Sequence, residues 1–233
     1  MKRQVTLPLA LVIGIGVGTL AVQGLHAQTK PKAFTIADVE ILDKAALEPF
    51  AKAAVSRLQE AGGRSLDVTG GKIVSRQGEP PKAVILIEWD NLDKAEAYFK
   101  SPTFAKFTPE RDKVYKTTRA YLVEAGPNFK GFTLQGSKPK AYVINEIEVF
   151  DRAALGNAPP DSSLRDAGGQ PTGVAVGKIV QRTGEPPKGV ALWGFNNLEQ
   201  AEAYLKSPAW ANRLSQLEKG LKVTRSYIVE ATQ

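Results

Sequence analysis

The stretch GKIVSRQGEPPK at residues 71–82 occurs a second time, as GKIVQRTGEPPK at residues 177–188. The similarity continues beyond these stretches. About two-thirds of the positions from 71 to 102 are identical to those from 177 to 208, far more than chance gives over this length. The chain therefore contains two copies of one module.

The repeat divides the 233-residue chain into two domains of ordinary size. We place the first module at residues 28–126, a linker containing Gly, Pro and Ser at 127–138, and the second module at 139–233. A module of about 95 residues buries only a modest core, so each copy is expected to gain support from the other.

The first 27 residues have the pattern of a secretory signal peptide. Residues 2 and 3 are basic, residues 7–22 are apolar and uncharged, and LHA at 25–27 offers a cleavage site. The apolar run is slightly short for a membrane span, and Leu25 is larger than the ideal residue at its position, so an uncleaved anchor is the alternative to cleavage before Gln28. We expect a periplasmic or secreted mature protein without a stable membrane span.

Three residue types that often carry chemistry are missing from the expected mature chain. There is no cysteine, and the one histidine (His26) and the one methionine (Met1) lie in the signal. This excludes nucleophilic machinery that needs an imidazole or a thiolate, zinc held by histidine and haem held by His, Cys or Met. We expect no cofactor, and without disulfides the stability must come from packing.

The charge pattern gives no sign of a nucleic-acid partner. The formal net charge of +7 falls to +5 when Lys2 and Arg3 are removed, and the remaining charges of both signs are interleaved without a basic block. A solvated surface is the simpler interpretation.

The hydrophobic pattern of the first module predicts the order strand, helix, strand, strand, helix, strand. The predicted elements are a strand at 34–41, a helix from the N-cap Asp43 to Gly62-Gly63, a hairpin of residues 65–76 with 82–89, a helix after the N-cap Asn91 that ends or restarts at Ser101-Pro102, and a strand at 118–125. This order is typical of a ferredoxin-like α+β module, in which both helices cover one face of an antiparallel sheet.

The strand at Ala83–Ile87 indicates how the other face of the sheet is covered. Both of its alternating sets of side chains are apolar, whereas a strand with one wet face would alternate apolar with polar residues. The sheet of the other copy is the obvious cover. We therefore predict that the two ferredoxin-like βαββαβ modules pack their sheets face to face, as an α/β-barrel pseudo-dimer within one chain. Further association of the whole chain stays open.

The chain resembles the DUF1330 family, in the dimeric α/β-barrel superfamily of ferredoxin-like folds. The resemblance is carried by AYVINEIEV at 141–149, the Gly-Gly pairs at 62–63 and 168–169, the GEPPK turns, Ala-Tyr-x-x-Ser-Pro at 97–102 and 203–208, and Tyr-x-Val-Glu at 121–124 and 227–230. It covers nearly all of both copies and implies the fold and its pairing mode. The family's activity is not established, although relatives in the superfamily include cofactor-free monooxygenases, isomerases and haem enzymes, and the missing histidine speaks against the haem branch.

The resemblance also implies candidate ligand-binding residues in the first copy. The acidic residue typical near the end of the third strand is Glu88, but Gly194 stands at that position in the second copy. The arginine typical after the Ser-Pro helix is Arg111, replaced in the second copy by Leu217. Because both are lost together, we predict that Glu88 and Arg111 lie close together beside Tyr98, either as a structural ion pair or as a site where Arg111 binds an anionic ligand.

The second copy departs from the pattern in one further way. Its first helix, beginning near Asp151, meets Gly156 and then Pro159-Pro160, which should break it. We therefore expect a partner that keeps the fold and has lost polar features.

Other polar groups have simpler structural interpretations. Asp38 and Glu40 could act as acids or bases or hold Ca²⁺, as could Glu146 and Glu148, but pairing with Arg119 or Arg225 is the simpler role. The charged residues of the repeated stretch could form a rim for an anionic ligand or be plain solvated surface: they are Lys72, Arg76, Glu79 and Lys82, with Lys178, Arg182, Glu185 and Lys188. Trp89, Tyr98 and Tyr121 fit a core better than a stacking platform.

Three functions remain open. The first is a protein that binds a small, partly apolar or anionic molecule without chemistry. The second is a cofactor-independent enzyme, such as a monooxygenase or isomerase, and the third is a module that binds another envelope protein. We favour the first because an enzyme would need a positioned acid or base in a pocket, and the mature sequence offers only carboxylates, Lys, Arg and Tyr.

Overall fold

A computed structural model describes residues 30–134, 136–156, 162–173 and 178–232. The expected signal at 1–27 lies outside these residues. So do Pro159-Pro160, the pair expected to break a helix of the second copy, and Gly177, which opens the repeated stretch there.

The first half follows the predicted element order. Its elements are β1 (Ala33–Ile41), α1 (Lys44–Glu60), β2 (Gly63–Ser65), β3 (Ile73–Gln77), β4 (Ala83–Trp89), α2 (Leu92–Lys100), α3 (Pro102–Val114) and β5 (Tyr115–Glu124). The capping residues act as expected: the Asp43 carboxylate accepts hydrogen bonds from the first turn of α1, and Asn91 does the same for α2. Ser101 ends α2 and caps α3, which Pro102 then opens.

The second half repeats this order with shorter first helices. Its elements are β6 (Ala141–Val149), α4 (Arg152–Gly156), α5 (Ser163–Asp166), β7 (Gln170–Pro171), β8 (Ile179–Thr183), β9 (Gly189–Phe195), α6 (Leu198–Lys206), α7 (Pro208–Leu217) and β10 (Leu221–Glu230). Helix α4 ends at Gly156 after 5 residues, where α1 continues for 17.

The strands form two five-stranded antiparallel sheets, and each sheet takes one edge strand from the other half of the chain. The first sheet has the order β2-β4-β1-β5-β8 and the second β3-β10-β6-β9-β7. Each sheet therefore contains four strands in the ferredoxin-like order from its own half and one edge strand from the other half. The α+β class is confirmed.

The predicted hairpin of residues 65–76 with 82–89 is wrong. Strand β3 pairs with β10 of the second half, and β4 pairs with β2 and β1. The chain crosses between the sheets at Gly71, where the Glu230 carbonyl oxygen would lie 1.8 Å from an added Cβ. The Gly-Glu-Pro-Pro turn at 78–81 is equally compatible with a hairpin and with this crossover, so turn chemistry alone could not decide the partner strand.

Side chains from the inner faces of both sheets form one apolar core. It includes Phe34 and Leu86 from the first half and Ile144 and Leu192 from the second. The outer faces pack on helices instead; Ile87 and Trp89 contribute to the apolar cluster beside α2. Strand β4 is thus apolar on both sides because one side meets the other sheet and the other side meets helices.

The linker closes one end of this core. Phe129 and Phe132 are buried there, with ring centroids 5.6 and 5.7 Å from that of Phe34. At Gly194 an added Cβ would lie 2.6 Å from Pro139 and 2.9 Å from Phe132. The glycine that replaces Glu88 in the second half therefore makes room for the linker.

Candidate functional site

A cleft of about 300 Å³ lies between the outer face of the first sheet and its covering helices. Ile85 and Ile87 of β4 form its floor, while Leu58 of α1 and Phe107 of α3 form its walls. The volume is at the lower end of the range for small-molecule sites, ~300–1,000 Å³. Most of the lining is apolar, so an apolar ligand would release ordered water on entering.

Aromatic rings shape two sides of the cleft. Phe50 and Phe107 stack with a centroid distance of 4.4 Å, and Phe99 meets Phe104 edge to face at 4.9 Å. These contacts fix the rings of α1, α2 and α3 against one another. The walls are therefore preformed.

Two tyrosine hydroxyls supply polar groups inside the cleft. Tyr98 and Tyr115 both line it and are only 7% and 9% exposed. Neither hydroxyl hydrogen-bonds to any residue in the described part of the chain. Burial raises the pKa of both phenols, against a smaller opposing effect of nearby arginines, so both stay protonated at neutral pH and can donate a hydrogen bond to a ligand.

Arg111 reaches the cleft from the last turn of α3. Its guanidinium lies 5.3 Å from the ring centroid of Phe104, and its side chain is 19% exposed. The carboxylate it contacts is that of the neighbouring Asp112, at 2.6 Å, and Asp112 is largely in solvent. An ion pair with an exposed carboxylate is weak, so the Arg111 guanidinium can also bind the anionic group of a ligand.

The second half contributes Arg182 and Thr183 to the same cleft. Strand β8 pairs Thr183 with Ala120 and Gln181 with Tyr121, so Arg182 is the extra residue of a β-bulge. A bulge redirects the side chain it carries. The Arg182 guanidinium lies 4.8 Å from the ring centroid of Phe99 and donates a long hydrogen bond to the Phe99 carbonyl oxygen.

The expected pairing of Glu88 with Arg111 is wrong. Glu88 accepts hydrogen bonds from Arg64 at 3.0 Å and from the Phe132 backbone N–H at 3.3 Å, and Lys32 is 3.7 Å away. Neighbouring residues of a strand face opposite sides, so Glu88 shares the inner side of β4 with Leu86, while Arg111 lies on the helical side. Glu88 thus lines a separate polar cleft beside the linker, and only Arg111 and Tyr98 of the three candidates share a site.

The charged residues of the repeated stretch do not form one rim. Lys82 pairs with Glu40, and Lys188 with Glu148, on the two exposed turns. Arg182 is the member that lines the cleft. The repeat identified Arg182, but only the exchange of strands shows that it lines the cleft of the first half.

Asp38 of β1 and Glu146 of β6 pair with the arginines proposed for them, whereas Glu40 and Glu148 pair with Lys82 and Lys188 instead. The Asp38 carboxylate lies 3.2 Å from Arg119 and 2.7 Å from Arg225. Glu146 contacts the same two arginines, 3.4 Å from Arg225, and accepts a hydrogen bond from the Tyr121 hydroxyl at 3.3 Å. These four side chains, which we call the ionic cluster, link the two halves within the core.

The corresponding space of the second half is filled by large apolar side chains. Trp193, Trp210 and Leu217 stand at the positions of Ile87, Phe104 and Arg111. The two indole rings meet edge to face at 5.2 Å. Together with the short α4, this makes the two halves structurally unequal.

Within the described residues no three His, Cys, Asp or Glu side chains are grouped so that they could hold a metal ion. No helix in that part of the chain has the length and hydropathy needed to cross a bilayer.

A family model described as "Domain of unknown function (DUF1330)" matches residues 32–125. A comparison with curated proteins gave no match.

Solved structures of similar fold cover most of the chain at low identity. An anthrone oxidase-like protein is 10% identical, covers 88% of this chain and 92% of its own, and has a TM-score of 0.48. A protein provisionally assigned as a monooxygenase from Fusobacterium nucleatum is 9% identical, with 87% and 95% coverage and a TM-score of 0.48. A dye-decolorizing protein from V. cholerae is 11% identical, with 88% and 94% coverage and a TM-score of 0.45. At these identities and TM-scores the likeness supports no conclusion about activity.

Proposed function

Residues 32–125 match the model of the DUF1330 family, and from this premise we propose that the first half binds a small, largely apolar molecule. The observation that carries the proposal is the preformed cleft lined by two largely buried tyrosines whose hydroxyls have no hydrogen-bond partner among the described residues. A binding site of this type combines apolar walls with a few positioned polar groups. The proposal includes export, with a mature protein that begins at Gln28.

The chemistry of the cleft supports binding without catalysis. Tyr98 and Tyr115 act as hydrogen-bond donors because their raised pKa keeps them protonated, so neither is a base at neutral pH. The carboxylates at the border of the cleft, Glu48 and Asp67, are exposed to solvent. Neither has the buried environment that tunes a carboxylate for proton transfer.

The second half has a structural role in this proposal. Its sheet covers the inner face of the first sheet, and its strand β8 borders β5 at the cleft. We infer that the two halves stand in for the two subunits of an α/β-barrel dimer, one of them keeping the binding cleft.

The test uses N-phenyl-1-naphthylamine, a neutral fluorescent apolar molecule, and the mature chain. Wild-type protein should bind one probe molecule per chain with increased fluorescence. Ile87→Trp, which introduces the side chain that the second half carries at Trp193, should fill the cleft. It should reduce probe affinity by about tenfold or more, since it removes the volume and apolar contacts of the floor.

Phe150→Trp is the matched control. Phe150 is 64% exposed, so this change adds the same indole to the surface and should leave binding unchanged. An Ile87→Trp protein that melts like wild type and still binds the probe normally would contradict the proposed site.

A further inference from the structure

Two guanidinium groups from different halves converge on the edge of the cleft. Arg111 and Arg182 both line it, held against the adjoining rings of Phe104 and Phe99. Among the described residues Arg182 forms no ion pair within 4 Å, and the pairing of Arg111 is limited to the exposed Asp112. Burial lowers the pKa of the Arg182 guanidinium, which Glu96 opposes and Arg111 reinforces.

From this geometry we propose that Arg111 and Arg182 form an anion subsite, so that the ligand is an apolar molecule with one carboxylate- or sulfonate-like group. The inference rests on the proposed function and adds the chemical class of its ligand. The apolar body would occupy the cleft between Ile87 and Phe107, and the anionic group would sit at the two arginines.

An anion explains why two like charges are held side by side. Arg182 is exposed, so solvent screens part of the repulsion between the two cations, and an anion between them would relieve the rest. Guanidinium groups bind carboxylates and sulfonates through paired N–H donors, and stacking on aromatic rings holds their planes in place. Here each guanidinium has its own ring, and the Phe99 and Phe104 rings are 4.9 Å apart.

The second half has an arginine at the equivalent bulge but none at the position equivalent to Arg111. Arg76 of β3 occupies the matching bulge and donates to the Leu205 carbonyl oxygen at 3.3 Å, as Arg182 does to Phe99. The position of Arg111 is held there by Leu217, which packs in an apolar cluster. Within the described residues, an arginine at the bulge is therefore combined with one at the position of Arg111 in the first half and not in the second.

The experiment compares two probes that differ only by an anionic group. N-phenyl-1-naphthylamine is neutral, and 1-anilinonaphthalene-8-sulfonate has the same rings with a sulfonate. Arg182→Gln and Arg111→Leu should each weaken binding of the sulfonate by about tenfold, the effect of one charge-assisted hydrogen bond, and change binding of the neutral probe less than twofold. Arg182→Lys, which keeps the charge but loses the paired donors, should weaken it less than Arg182→Gln.

Two matched controls each remove one positive charge at a position outside the cleft. Arg76→Gln alters the equivalent bulge of the second half, and Lys113→Leu removes an exposed cation from α3. Both should leave the two affinities unchanged.

The outcomes separate the two proposals. If the neutral probe binds and neither arginine change affects the sulfonate, the subsite is wrong while the apolar cleft stands. If both probes weaken equally, the arginines only shape the cleft and the subsite is again wrong. If neither probe binds the wild-type protein, the proposed function fails and the subsite fails with it.

Discussion

The ionic cluster shows how far the two halves differ at the scale of single residues. Asp38 and Glu146 hold equivalent places on β1 and β6, but glutamate is longer by one methylene group. Glu146 accepts a hydrogen bond from the Tyr121 hydroxyl, whereas a carboxylate oxygen of Asp38 and the hydroxyl of Tyr227 are buried without a partner in the described structure. Both groups adjoin Arg225, whose guanidinium lies 2.7 Å from the Asp38 carboxylate and 5.0 Å from the ring centroid of Tyr227.

We predict that Asp38→Glu stabilises the protein by about 1 kcal/mol, because the longer side chain can reach the Tyr227 hydroxyl and complete the second hydrogen bond. Urea unfolding followed by tryptophan fluorescence measures the effect. The reverse change in the other half, Glu146→Asp, should cost about 1–2 kcal/mol since it leaves the Tyr121 hydroxyl unpaired. Equal destabilisation by both changes would show that packing, not hydrogen bonding, decides this position.

Among the secondary-structure elements, β3 is one of the two exchanged strands that join the halves. It extends the second sheet beside β10, and the backbone N–H of Glu230 donates to the Lys72 carbonyl oxygen at 2.9 Å where it enters. Close approach of the two backbones requires a residue without a Cβ at position 71. The crossover therefore depends on one glycine.

We predict that Gly71→Ala destabilises the protein by about 3 kcal/mol, because the added methyl group would overlap the Glu230 carbonyl and separate β3 from β10. Lys72→Ala is the control, since it keeps the backbone hydrogen bond and removes an exposed side chain. The free energy of unfolding and amide-exchange protection of Ile228 and Glu230, whose backbone N–H groups face β3, measure the result. A Gly71→Ala protein with wild-type protection at these two amides would contradict the account of the crossover.

The sequence predicted elements better than it predicted their partners. Caps such as Asp43, Asn91 and Ser101 are local signals, and the structure has them where the pattern indicated. The partner of β3 depends on long-range packing, which the local sequence of the Gly-Glu-Pro-Pro turn at 78–81 does not determine. Strand β4 is apolar on both faces, so alternation could not tell which face of it meets the helices. The joint loss of Glu88 and Arg111 in the second half did not show on which face Glu88 lies.

The candidate site was harder to predict because it is built from distant parts of the chain. Arg111 and Tyr98 could be named from the family resemblance, but Tyr115 belongs to none of the motifs that carry this resemblance. Arg182 carried a signal, its place in the repeat, yet its position beside Phe99 follows only from the pairing of β8 with β5.

At the scale of the whole molecule, each half needs an edge strand from the other. The two exchanged strands are near copies, IVSRQ in β3 and IVQRT in β8. In the full chain β8 borders β5 of the first half, with Ile179 opposite Val123. A second copy of the first half could supply its own β3 at this edge, because the strand that it would replace has nearly the same sequence.

We therefore predict that residues 28–126 alone form a homodimer by exchanging β3, with the inner faces of two identical sheets in contact. Those faces carry Phe34, Leu86 and Tyr121, which a monomer would expose to water. Light scattering after gel filtration over a range of protein concentrations measures the mass, and Val74→Pro is the control because proline cannot donate within a strand ladder. The control should lose the dimer and, with it, cooperative unfolding. A wild-type 28–126 fragment that stays monomeric and unfolds cooperatively near the melting temperature of the full chain would show that the first half does not depend on a partner sheet, and the pseudo-dimer interpretation would then be wrong.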